Sequence, residues 1–194
     1  MAYGREGDLY SRVMRSILLP LACALLGACI VEAPSSDPAP GRAAATVKAV
    51  PPVAVKSGAD FGGKVELVGA EVKPGSLTAG GSATITVFYR VLDELDRDYQ
   101  IFVHVEDPDG HMRRFNLDHA PAAGAYPTRQ WRKGETVRDE YVLQLPGGDA
   151  PKAVNVWTGF WHPESDSRLK VRSTVNVRHD GSDRVLLVQI PVTR

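Results

Sequence analysis

The side chains of this 194-residue chain that are able to do covalent or metal chemistry are few and widely spaced. Its two thiols, Cys23 and Cys29, both lie within the first thirty residues, so the rest of the chain has no disulfide and no thiolate to serve as nucleophile or metal ligand. The five histidines, His104, His111, His119, His162 and His179, show no pair at the short spacing of zinc sites, and no metal site or cofactor is expected. No Gly-x-Ser-x-Gly elbow is present, and acidic residues such as Asp118, Glu140 and Glu164 are as readily solvated turn residues as a catalytic pair. Catalysis is therefore not expected.

The residues better suited to holding a ligand than to transforming one fall in two places. The longest loop in the body of the chain, 118–131, contains Asp118, His119, Tyr126, Arg129 and Trp131, and long loops in compact domains are often functional. Tyr126 and Trp131 can equally fold back to close the core, with Arg129 reaching outward over its apolar stem. Further on, Trp157 and Trp161 share one face of an alternating run. With His104 they form a possible platform for a sugar, since an aromatic ring offers an apolar face beside a polar edge. Filling a core is the competing use of the same two rings.

Lys and Arg total 23 and so do Asp and Glu, so no net field draws the chain onto nucleic acid. Arg12 and Arg15 precede the apolar run 17–26, which Gly27 and Ala28 follow; a basic region, a short apolar core and small residues describe a secretory signal. At ten residues the run is too short to cross a hydrocarbon layer of about 30 Å as a helix. Met14, directly ahead of Arg15 and the run, is a second candidate start.

The sequence Leu26-Gly27-Ala28-Cys29 resembles the lipobox of bacterial lipoproteins. The resemblance implies a signal peptide over 1–28, cleavage before Cys29, and a lipid on its sulfur that anchors the chain to a membrane of the cell envelope. With Ile30 rather than aspartate after the cysteine, the sorting rule of enteric bacteria implies the outer membrane. Two or three acyl chains anchor durably where one is marginal. Residues 29–60, rich in Pro and Ala, read as an extended linker.

Residues 61–194 alternate like strands. Ala83, Ile85, Val87, Tyr89 and Val91 line one face of a run, and Tyr99, Ile101, Val103 and Val105 one face of the next. Val65, Leu67, Ala70 and Val72 fit a single face only if the alternation slips near Gly69. Asp107-Pro108-Asp109-Gly110 is a hairpin turn, with a return strand predicted over 111–117. Later strands are predicted over 135–145, 153–161, 169–171, 175–177 and 184–192. The expected fold is an all-β, immunoglobulin-like antiparallel β-sandwich, with a jelly roll as the alternative.

The run 99–110, with Tyr126-Pro127-Thr128, Trp131, Gly134-Glu135, Asp139, Tyr141 and the segment 180–187, resembles a β-sandwich module at the C-terminal end of some bacterial membrane glycosyltransferases and in some secreted proteins. The resemblance implies a sandwich without catalytic activity. Taken together, these readings imply an envelope lipoprotein that binds a protein or a glycan. An enzyme of envelope carbohydrate metabolism and a purely structural or assembly lipoprotein are the alternatives.

Overall fold

The computed structural model describes residues 41–172 and 177–193, so Cys29, the signal and the first part of the linker lie outside the described residues. In chain order the elements are a short helix α1 (Arg42–Ala45), then β1 (Thr46–Val47), β2 (Val55–Phe61), β3 (Val65–Lys73), β4 (Leu77–Thr78), β5 (Ser82–Val91), β6 (Gln100–Glu106) and β7 (Phe115–Asn116). Two 3-10 turns at Pro121–Gly124 and Thr128–Gln130 precede β8 (Thr136–Gln144), β9 (Ala153–His162), β10 (Ser167–Arg168), β11 (Val171–Arg172) and β12 (Val185–Thr193). One sheet has the order β1-β8-β5-β3-β2-β11 and the other β4-β12-β9-β6-β7, with β10 added beside β9. Among the described residues no helix is long and apolar enough to cross a membrane.

Seven strands are long, four in the first sheet and three in the second, the division of an immunoglobulin-like sandwich. All pairs are antiparallel except β4 with β12, which run parallel. Each sheet ends at both sides on a strand of only two residues: β1, β11, β4 and β7.

Period-two alternation builds the core. Ala83, Ile85, Val87, Tyr89 and Val91 of β5 are each at most 1% exposed and face Ile101, Val103 and Val105 of β6 and Val154, Val156 and Phe160 of β9, all fully buried. Phe160 packs edge-on against Phe61 and Tyr89, with centroids 5.2 Å apart in each pair. The slip predicted in β3 is present, since pairing with β5 shifts between Leu67 and Gly69 and turns both Leu67 and Ala70 inward.

Two boundaries differ from the sequence expectation. The folded unit starts before residue 61: β2 pairs with β3 through Val55–Phe61, and β1 pairs with β8. β2 escapes recognition because its own pairing shifts between Lys56 and Ala59, which breaks the alternation just after Pro51-Pro52. The return strand after the Asp107–Gly110 turn is also shorter, only Phe115–Asn116. Asp107 accounts for this by accepting the backbone N–H groups of Asp109, His111 and Met112, at 2.8, 2.9 and 3.0 Å, which holds the chain in the turn. The predicted strand 175–177 falls mostly outside the described residues.

Candidate binding face on the second sheet

The outer face of the second sheet is the place where aromatic, cationic and imidazole groups converge. In the register of β6 with β9, His104 lies opposite Trp157 and Phe102 opposite Gly159, while β12 sets Leu186 beside Trp157. Gly159 has a steric reason: a Cβ there would stand 2.5 Å from the Phe102 ring and 2.8 Å from the Asp183 carbonyl oxygen. The missing side chain lets Phe102 lie flat across β9 and brings the segment before β12 down onto the sheet.

That segment and β10 form a partial roof. The Arg184 guanidinium lies 4.9 Å from the Trp157 ring centroid, and Arg168 lies 4.5 Å from that of Phe102. Arg184 Nη1 donates to Glu106 Oε1 at 2.6 Å and to His104 Nδ1 at 3.2 Å, and its Nε donates to Asp180. Arg168 Nη1 donates to the Ser182 carbonyl at 2.7 Å. Under these groups Phe102 and His104 are buried, at 2% and 5% exposure, although they point away from the core. Between roof and sheet is a cleft of about 220 Å³ lined by His104, Arg114, Arg168, Asp180, Ser182 and Arg184. Burial, with the nearby charges of Arg114, Arg184 and Arg168, holds the His104 ring below the ordinary histidine range, against the pull of Asp118. Trp161, partly exposed at the end of the same face, is steadied by a bond from its Nε1 to Asp166 Oδ1 at 2.9 Å.

The structure therefore sets His104 and Trp157 side by side on one sheet face, with His104 lining the cleft and Trp161 further along the strand. It does not add the 118–131 loop residues to them. Trp131 and Tyr126 are fully buried, which corrects their candidacy as surface contacts. Trp131 Nε1 donates to the Tyr126 carbonyl at 2.9 Å, and the Tyr126 hydroxyl shares its one proton between Gln130 O at 2.8 Å and Glu135 Oε2 at 2.7 Å. These bonds satisfy the polar ends of both rings inside the closed end of the sandwich. Arg129 reaches outward, its side chain 66% exposed and paired with Asp98 at 3.4 Å.

Asp118 and His119 are likewise committed to the fold. Asp118 Oδ1 accepts the Val103 N–H at 2.8 Å, and His119 bridges its backbone to Ile101, which extends the pairing along β6. His119 Nδ1 lies 2.8 Å from the Leu117 carbonyl and Nε2 lies 2.8 Å from Asp139 Oδ2. The other Asp139 oxygen accepts the Ala122 N–H at 2.8 Å, and Asp139 itself is fully buried. Burial opposes charge on the imidazole, but the hydrogen bond and negative charge of Asp139, together with the Leu117 carbonyl, outweigh it and raise the pKa. Nε2 thus holds the loop to β8 and Nδ1 holds the ring to its own backbone, which leaves His119 no free nitrogen for acid–base work.

Sequence reasoning missed Phe102, Arg168 and Arg184. Phe102 has an alternating-strand signal, but Arg168 lies 66 residues from the Phe102 it covers and Arg184 27 residues from the Trp157 it covers, and nothing local marks either as a roof.

Fold and face define the chain as an all-β sandwich with an arginine-lined cleft beside aromatic residues on its second sheet. No family model matches it. No curated protein is similar to it. A solved structure described as the C-terminal domain of wzt overlays with a TM-score of 0.48 at 13% identity, covering 74% of this chain and 83% of that one. At that level the overlay says nothing about what this chain binds.

Proposed function

We propose that this protein is a non-catalytic binding module of the bacterial cell envelope, held on a membrane through a lipid on Cys29, and that it holds a glycan against the outer face of its second sheet. The observation that carries the reading is the convergence of the partly exposed Trp157 and Trp161 with Arg168, Arg184 and His104 on one sheet face. Flat rings that pack against sugar C–H faces, beside fixed polar groups that sort hydroxyls, are the chemistry of saccharide recognition. The commitment of both His119 nitrogens to the fold supports binding over catalysis.

Screening the full chain in mild detergent on a glycan array tests the reading. A subset of saccharides should bind, and Trp161→Ala should lose them while Trp161→Phe keeps part of the signal and both melt like the parent. Binding that survives Trp161→Ala unchanged would place the glycan elsewhere.

The anchor has its own test. Cells fed a clickable palmitate analogue should label the parent chain, and Cys29→Ser should abolish the label and release the protein from the membrane fraction. An unlabelled parent chain would refute the lipid anchor.

A further inference from the structure

The charges in the cleft are not balanced. Asp180 faces it but is already used, Oδ2 by Arg184 Nε and Oδ1 by the Ser182 N–H at 2.9 Å, and Glu106 is taken up by Arg184. Arg114 and Arg168, by contrast, have no carboxylate partner among the described residues, although both line the same space. Arg114 is exposed at the rim, while Arg168 is fixed by the Phe102 ring beneath it and by the Ser182 carbonyl. His104 adds a third donor. Its Nδ1 accepts from Arg184, so the proton of the neutral ring sits on Nε2, and no described residue accepts it.

A cleft whose spent groups are acids and whose unspent groups are donors is complementary to an anion. Two unpaired guanidiniums suit a planar carboxylate, which accepts their N–H groups in parallel. Trp161, which β10 sets opposite Arg168, is partly exposed on the same face, so a sugar ring bearing that carboxylate has a surface to rest on.

We infer that the cleft formed by Arg114, Arg168 and His104 receives the carboxylate of an acidic sugar, so that the glycan held on this face is a uronic-acid-containing one. The inference rests on the glycan reading above and names the class of glycan. Arg114 and Arg168 act as the carboxylate clamp, His104 donates from Nε2, and Arg184 positions His104 by donating to its other nitrogen.

The test is calorimetric titration of the full chain with a glucuronic acid tetrasaccharide, its neutral glucose counterpart, free glucuronate and inorganic phosphate. The ring signals of His104 are followed by NMR in parallel. The acidic tetrasaccharide should bind roughly tenfold or more tighter than the neutral one at low salt, with the gap narrowing as salt screens it. Arg114→Gln, at an exposed position, and Arg168→Gln should each remove most of that gap, while Arg168→Lys should retain part of it. Binding should also raise the His104 pKa, a change that a purely structural role for the arginines would not produce.

Equal binding of acidic and neutral tetrasaccharides would overturn this inference and leave the glycan reading standing. Free glucuronate or phosphate binding as well as the acidic tetrasaccharide would support the anion clamp and overturn the glycan reading. No binding of any of the four would overturn this inference, while the glycan reading stands or falls on the array.

Discussion

Trp131→Ala should lower the melting temperature of the protein by roughly 6–20 °C. The ring is fully buried and lies 6.0 Å from Phe160, 6.1 Å from Tyr89 and 6.5 Å from Tyr126 between centroids, so its removal leaves a large cavity where the loop meets both sheets. Truncations of this kind cost about 3–5 kcal/mol, a large share of a total stability of about 5–15 kcal/mol. For a domain of this size each kcal/mol moves the melting temperature by about 2–4 °C. The indole also donates to the Tyr126 carbonyl, so Trp131→Phe should be milder but still destabilising. A melt unchanged within a few degrees would mean that the 118–131 loop is not part of the core.

Asp139→Ala is also expected to be damaging, at about 2–4 kcal/mol, because it strips the half-buried His119 ring and the Ala122 N–H of their shared acceptor. The size of this loss should depend on pH. The folded-state pKa of His119 is raised, so its pairing contributes fully below the ordinary histidine value of about 6.5 and is lost as pH rises through the folded value. Urea unfolding at intervals between pH 5.5 and 8.5 should show the parent losing stability toward the alkaline end. The gap between parent and Asp139→Ala should shrink in the same direction. A gap that stays constant or widens would show that His119 is neutral when paired. Asp118 and the Tyr141 ring, 5.0 Å from His119, also face it, so Asp118→Asn serves as the control that leaves the main pair in place.

Where a strand keeps a strict two-residue period, its facing was legible. β5 alternates without interruption, and every inward position read from the sequence is buried. Even the irregularity in β3 was readable, because only a slip at Gly69 puts both Leu67 and Ala70 on one face. β2 was hidden, since its bulge falls inside a stretch whose Pro and Ala content suggested a linker. For the aromatic residues, the sequence showed which could be chosen but not what covers them. Trp131 and Trp157 look alike in the chain, yet one fills the core and the other lies outside it beneath Arg184. Covering depends on contacts such as Arg184 with Glu106, 78 residues apart, to which no local pattern is sensitive.

The two-residue strands that end both sheets have a consequence for how copies of this protein behave at close quarters. A long free strand edge offers a row of unpaired N–H and C=O groups onto which another chain can zip, the usual start of edge-to-edge aggregation. Here the outermost long strands are each interrupted at the margin by a stub, β1 or β11 on one sheet and β4 or β7 on the other, which pairs with two of their residues and is itself too short to template a neighbour. β12, flanked by the parallel stub β4, also carries Pro191, which has no N–H to offer. Sandwiches built this way can be concentrated on a two-dimensional surface and still collide without fusing into a continuous sheet.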